Sequence, residues 1–315
     1  MNHSDLPSDE QGGSRRLLWI LCASLAVTLT VFYAFVPKFS VGNVNPTVTW
    51  LIESWNMENK NYEHGWIVVL VMGWFIYRAW APMKKEPVAG SLTGLWWVAL
   101  GIFLWVGGFR AIQARAAVLS LPCFILGGVH FACGWKMARH LVFPLSLVAF
   151  MIPMPGIEQA TNGLAIFATK MAHKFGLLIG IETIQSGTKL LAPPGQSWGE
   201  WQVDDGCSGL RSLVALMLIS YAYGMVIHRK WWERIVVFAA AIPIAIVANG
   251  FRITSILVVA QISQKFAGAT WHNYSGFFSF GAALALLMLL SFVMRQGVRA
   301  LKPKLKVTRV GDAKE

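Results

Sequence analysis

The chain has 315 residues, 56% of them hydrophobic and 13% charged, with a formal net charge of +12 and a mean hydropathy of +0.53. Soluble domains carry about twice that charged fraction, and several apolar runs approach the roughly 20 residues that cross a bilayer, so an ordinary soluble globular protein is excluded. The basic excess does not point to nucleic acid: the cations sit in short loops and the tail, not on a soluble face interleaved with stacking aromatics.

Residues 1–14 are polar and predict a disordered cytoplasmic N-terminus. Apolar segments follow at about 17–36, 65–81, 92–109, 116–134, 140–154, 208–227, 235–257 and 275–294. The first, Leu17 to Val36, reads as a retained anchor, since no small-residue cleavage site follows it. Trp96-Trp97, Trp231-Trp232 and Trp271 lie at or near segment ends, where a bilayer interface favours Trp. Between the fifth and sixth segments, Ala160 to Ile181 is amphipathic and carries Lys170, His173 and Lys174.

Positive charge orients the segments. Arg15-Arg16, Lys84-Lys85, Lys136 with Arg139, His228-Arg229-Lys230 with Arg234, and the tail from Arg295 are assigned to the cytoplasm. Arg110 to Arg115 falls outside, against the rule. Counting inward from both ends agrees only when 157–182 does not cross fully, so that stretch is expected to be re-entrant or interfacial. The expected fold is an all-α polytopic membrane protein of about eight transmembrane helices, plus that helix and a small extracytoplasmic hairpin. The integral membrane domain is placed at 15–300 and a basic cytoplasmic tail at 301–315. The hairpin is expected around the turn Pro193-Pro194-Gly195, with Thr183 to Leu191 and Ser197 to Val203 as its arms.

Four cysteines do not form a disulfide framework. Cys22, Cys123 and Cys133 fall within or beside apolar runs and read as small packing residues. Cys207 differs, because the run Asp204-Asp205-Gly206-Cys207-Ser208-Gly209 ends a polar loop and opens an apolar helix. A helix start supplies unpaired N–H groups and partial positive charge, which favour thiolate and can hold an oxyanion. Gly206 and Gly209 let another backbone approach. Asp204 and Asp205 oppose thiolate formation unless one caps the helix or orients a histidine. Arg211, one turn after Cys207, is expected to face it as a second cation.

Two more groups fall at similar depth. Arg252 interrupts the apolar stretch from Ile235 to Ala260, at a cost of several kcal/mol unless it faces a polar cavity, a partner or the interface. Asn249 precedes it by three residues on the same helical face, and Pro243 is a kink that would help open a cavity. His272 precedes the last span and suits general acid/base chemistry, with Asn273 or an aspartate of the 204–205 pair to orient it. Thiol, guanidinium and imidazole together suit acyl transfer. His130, His140, His173 and His228 are spread over separate segments, so neither a metal site nor a cofactor is expected. Signatures of zinc proteases, serine hydrolases and P-loop ATPases are missing from the sequence.

Cys-Ser-Gly-Leu-Arg-Ser at 207–212 after an acidic pair, Asn-Gly-Phe-Arg-Ile at 249–253 and Trp-His-Asn-Tyr-Ser-Gly at 271–276, in that order, resemble the three motifs of the exosortase/archaeosortase family. The resemblance is clearest over about 200–280. It implies a membrane cysteine peptidase/transpeptidase of the inner membrane, with its site facing the periplasm. Such enzymes process exported proteins bearing a C-terminal signal: a Pro-Glu-Pro-type motif, a transmembrane helix and a basic end. By that carry-over Cys207 is the nucleophile, Arg252 the electrostatic stabiliser and His272 the acid/base, with a thioester passed to an acceptor nucleophile or to water. Family members are often linked with exopolysaccharide production. Where relatives often carry Glu near the cysteine, this chain has Asp at 204 and 205. Two readings from other classes compete: a transporter or channel with Arg252 and Asn249 in its path, and a non-catalytic scaffold of an envelope polysaccharide system.

Overall fold

In hydrocarbon, every backbone N–H and C=O must find its partner within the chain, so long apolar runs fold as helices. The structure is a computed structural model that describes residues 23–39, 45–56, 62–153, 157–195, 199–203 and 209–300. Among these, five helices are long and apolar enough to cross a membrane: Gly65–Met83, Ala114–Cys133, Leu210–Ile227, Trp231–Ile262 and Gln264–Gln296. Two shorter apolar helices, Ala23–Phe35 and Gly94–Arg110, add to them. The all-α polytopic membrane fold expected from the sequence is thus the fold observed. The expected cytoplasmic ends, 1–14 and 301–315, lie outside the described residues. The chain divides into two compact units, Met1–Ile157 and Glu158–Glu315.

The first unit holds α1 (Ala23–Phe35), the short strands β1 (Pro37–Phe39) and β2 (Asn45–Pro46), and helices α2 (Thr47–Asn56), α3 (Gly65–Met83), α4 (Gly94–Arg110), α5 (Ala114–Cys133) and α6 (Trp135–Ser146). Helix α6 runs on into a 3₁₀ turn, Leu147–Met151. Small residues set the α4–α5 packing, as expected where lipid removes the hydrophobic drive between helices and close backbone approach must supply it. Gly94, Gly101 and Gly108, spaced by sevens, are the buried residues of α4. A Cβ on Gly94 would stand 2.4 Å from the Phe131 backbone nitrogen, and one on Gly101 would stand 3.0 Å from the Phe124 ring. Met83, Leu126, Ala138, Leu141 and Leu145 form a core shared by α3, α5 and α6. At its edge Glu86 bonds Arg139 Nη2 at 2.9 Å and His140 Nε2 at 3.2 Å.

The second unit is built from α7 (Ile157–Leu178), strands β3 (Ile184–Ser186), β4 (Lys189–Leu191) and β5 (Glu200–Gln202), and helices α8 (Leu210–Ile227) and α9 (Trp231–Ile262). A short turn α10 (Gln264–Phe266) and a π turn (Ala267–Trp271) then lead into α11 (His272–Ala300). The amphipathic stretch after residue 157 is a helix, and its apolar side uses Ala165, Ala168 and Ala172 against Leu190, Val203, Ile253 and Leu257. The strands make an antiparallel meander. The expected pairing across Pro193-Pro194-Gly195 is present as β4 against β5, with Leu190 opposite Trp201. A second hairpin, turning at Gly187 in a left-handed conformation (φ 61°), adds β3. Strands of three residues carry too little alternation to announce themselves, which is why that arm was not separable in the sequence.

At the far end of α8 and α9 lies a buried polar cluster. Glu233 accepts from His228 Nδ1 at 3.0 Å, His228 Nε2 meets Ser291 Oγ at 2.7 Å, and Arg234 Nε donates to the His228 carbonyl at 2.8 Å. These bonds tie the start of α9 to the last third of α11.

Candidate functional site

Asn249 and Arg252 stand one turn apart on α9, in the part of that helix that packs against α7 and the sheet. Arg252 is half-buried, and its donors are directed at the first turn of α11: Nε to Ser275 Oγ at 3.3 Å and Nη2 to the His272 carbonyl at 3.4 Å. Ser275 Oγ itself donates to that carbonyl at 3.1 Å. Gly276 lies against the guanidinium, where an added Cβ would sit 3.6 Å from Cζ. A second tie runs alongside. Ser255 Oγ donates to the Arg252 carbonyl at 2.7 Å and accepts from Trp271 Nε1 at 3.1 Å. A planar fork with fixed partners loses less side-chain entropy when it binds than an untethered cation would. Ser255 and Ser275 were missed in the sequence. Each lies three residues beyond a predicted site residue, which is the only signal they give.

His272 is half-buried at the start of α11, and its ring lies 6.2 Å from that of Trp201 at an interplanar angle of 41°. Trp201 comes from β5 and also packs against the Ile256, Ala260 and Ala267 cluster, so the meander is joined directly to the histidine. Trp201 too was missed. Its place on an expected strand arm was legible, but its cross-chain neighbour was not. Asn273 uses its amide to donate to the Ala269 carbonyl at 3.1 Å.

Gly209 precedes α8 with φ 80°, a left-handed conformation that side chains other than glycine adopt at a cost. Its carbonyl accepts from Leu213 N at 2.9 Å and Ser212 Oγ at 2.8 Å, closing the first turn of α8. Asn249, 4% exposed, packs directly beneath it. Asp204, Asp205, Gly206 and Cys207 lie outside the described residues. The flanks of that segment are both held on α9. Val203 is buried in the cluster with Ile253 and Leu257, and Gly209 rests on Asn249.

A cavity of about 350 Å³ opens between the starts of α8 and α11. Gly209, Arg211, Arg252 and Asn273 line its polar part, and Phe277 and Phe280 its apolar part. On α9 it touches Arg252, which lies further along the helix than Pro243. The sequence-predicted residues Gly209, Arg211, Arg252 and Asn273 thus share one cavity, with Asn249 below it and His272 bonded to Arg252 through its main chain. Among the described residues, no group of three or more His, Cys, Asp or Glu side chains is arranged to hold a metal. His130, His140, His173 and His228 each bond separately, to Thr93, Glu86, Thr183 and Glu233.

The family model described as Transmembrane exosortase (Exosortase_EpsH) matches residues 55–289. The chain belongs to the transmembrane exosortase family. The match takes in all three motif regions and reaches back through most of the first unit, well before the part in which the motifs lie. This exosortase is a multi-pass membrane protein and, as the family is in general, a sorting enzyme acting on exported proteins that carry a sorting signal. No curated protein and no solved structure is a match.

Proposed function

We propose that this exosortase is a cysteine peptidase/transpeptidase of the bacterial cytoplasmic membrane, working on its extracytoplasmic face. It cleaves the C-terminal signal of exported proteins, a Pro-Glu-Pro-type motif followed by a transmembrane helix. The Cys207 thiolate attacks the scissile carbonyl carbon, and the resulting oxyanion is stabilised by Arg252. His272 takes the thiol proton and returns it to the departing amine as the C–N bond breaks, leaving a thioester. An acceptor amine, another surface nucleophile or water then attacks the thioester and restores the thiol. Asp204 or Asp205 orients the imidazole, Asn249 supports Gly209 at the start of α8, and Gly206 and Gly209 allow the substrate backbone to come close.

The observation that carries this reading is the tether between the two described groups of the proposed triad. Arg252 donates to the main chain of His272 and lines the same cavity as Gly209, two residues after Cys207. A fixed cation in a cavity lined also by Gly209 suits stabilisation of a developing oxyanion.

The test is co-expression with a protein carrying such a signal, comparing wild type and Cys207→Ala by mass spectrometry of the substrate's C-terminus. A new C-terminus made only by the wild type supports the reading, and its added mass identifies the acceptor. Equal processing by Cys207→Ala removes the nucleophile assignment. Labelling of Cys207 by an impermeant thiol reagent from the extracytoplasmic side separates the enzyme from a transporter, whose central polar groups need access from both sides.

A further inference from the structure

Helix α7 has 22 residues, enough by length to cross a bilayer, yet it is not among the five helices that are also apolar enough to do so. One side of it, with Ala165, Ala168 and Ala172, packs on the meander and α9. The opposite side is not a polar one. Ile166, Phe167, Leu177 and Leu178 are exposed there, Leu178 by 81%. Lys170 and Lys174, also exposed, fall inside that apolar group. Ile166, Lys170, Lys174 and Leu178 follow at intervals of four residues and so share one stripe of the helix. Water does not suit four large apolar side chains gathered on one face, and hydrocarbon does not suit two lysines. The boundary between them suits both, because a lysine stem lies along apolar groups while its ammonium reaches the polar layer.

Neighbouring contacts set the depth of the two lysines. Gly250 of α9 lies against Met171 and Phe175, and the Phe175 ring stacks on Phe251 at 4.5 Å. Lys170 and Lys174 each precede one of those contact residues, so they stand level with the part of α9 that carries Arg252. His173 is turned instead to Thr183 Oγ1 at 2.5 Å. Among the described residues, neither lysine makes an ion pair.

We infer that this face of α7 docks on an anionic lipid surface, with the Lys170 and Lys174 ammonium groups on headgroup phosphates and the four apolar side chains at the edge of the acyl layer. Charge decides the occupant. Two cations in an apolar surround select a partner that is both negative and apolar, and an anionic phospholipid supplies the two in one molecule. A second copy of this chain does not fit, since a two-fold contact places the same patch on both sides and brings four ammonium groups together. The helix that supports the meander is thereby fixed at headgroup depth. The inference is independent of the peptidase reading.

The experiment maps the lipid on the full chain. The protein is placed in phosphatidylcholine nanodiscs containing a little phosphatidylglycerol or phosphatidylcholine with a diazirine in the headgroup, and is irradiated. It is then digested with chymotrypsin, whose cuts do not depend on lysine, and the labelled peptides are located by mass spectrometry. The expected result at low salt is labelling of residues 166–178 on the order of fivefold stronger by the phosphatidylglycerol probe, about the factor that one lysine near an anionic surface supplies. Lys170→Gln/Lys174→Gln should bring the two probes level on α7 and leave labelling of α3 unchanged, whereas Lys170→Arg/Lys174→Arg should keep the preference. Added salt should erode it in the wild type, which decides the matter even if the Gln pair fails to fold. Equal labelling of α7 by the two probes in the wild type overturns the inference, as does a preference that salt leaves intact or that a folded Gln pair retains. Crosslinks between copies at this face, or labelling of α7 by neither probe, assign the face to a protein partner and also overturn it.

Discussion

Gly209 meets the side chain of Asn249 so closely that a Cβ on the glycine would lie 2.7 Å from the Asn249 amide carbon. The start of α8 is thereby held on α9 through a contact that only glycine permits. Gly209→Ala adds the left-handed backbone penalty of about 1–2 kcal/mol to overpacking that typically costs a further ~1–3 kcal/mol. The variant is expected to unfold at lower temperature in detergent and to process substrate poorly. Asn249→Ala, which removes the two nearest of the clashing atoms, should restore part of the stability when combined with it. A double-mutant cycle on thermal unfolding measures the coupling.

Arg252→Lys keeps the charge and loses the fork that reaches Ser275 and the His272 carbonyl together. Removal of one oxyanion donor in an acyl-transfer enzyme costs on the order of 100- to 1000-fold in rate, and a loss of that size is expected for single-turnover processing. A rate within threefold of wild type would remove Arg252 from the proposed chemistry.

Glu233→Ala leaves His228, 2% exposed, without its carboxylate partner. Leaving a buried hydrogen-bonding group without its partner costs about 1–3 kcal/mol, so a drop in unfolding temperature is expected. Activity per folded molecule should persist. Residue 233 lies about 28 Å from residue 252 along α9 at 1.5 Å per residue. Unfolding followed in parallel with processing distinguishes the two effects.

Two glycines of α4 should respond with opposite sign. Gly101→Ile drives a side chain into the Phe124 ring, whereas a Cβ on Gly107 meets nothing within 4 Å. The first should destabilise by at least ~1–3 kcal/mol. Gly107→Ala should be neutral or stabilising by up to about 1 kcal/mol through helix propensity. Thermal unfolding of the pair decides whether the glycine stripe is a packing device.

Glu86 carries the pH prediction. Its hydrogen bond to His140, and then the one to Arg139, hold its carboxyl below the ordinary carboxylate range. Because the folded value is depressed, the contribution is present above the unfolded pKa and is lost as pH falls through the folded one. Glu86→Gln should therefore lower the unfolding temperature slightly at neutral pH. The gap between variant and wild type should close below about pH 4. A gap that persists at acid pH would show that the carboxylate's charge is not what acts there.

Apolar runs were enough to place the five long apolar helices, because a span long enough for a bilayer leaves a composition that no loop carries. Arg252 was legible for the converse reason, as a charge where charge is costly. Its partners were not. Hydrogen bonds from α9 to Ser275 and to a backbone carbonyl depend on how α9 and α11 cross, which no periodicity encodes. Trp201 belonged to an expected strand arm, yet its approach to His272 depends on the meander folding back onto α9. The extra strand β3 was lost to brevity. Residues near in sequence were easy to group, and pairs joined only by tertiary packing were not.

Arg252 holds residue 272 by its carbonyl. Every amino acid has that carbonyl, so the grip on α11 survives whatever side chain occupies the position. Replacing His272 by alanine therefore subtracts the imidazole while leaving the cation moored. The anchoring and proton-handling duties of this corner become genetically separable, and a small exogenous base such as imidazole has a vacated seat beside Trp201 from which to restore the reaction.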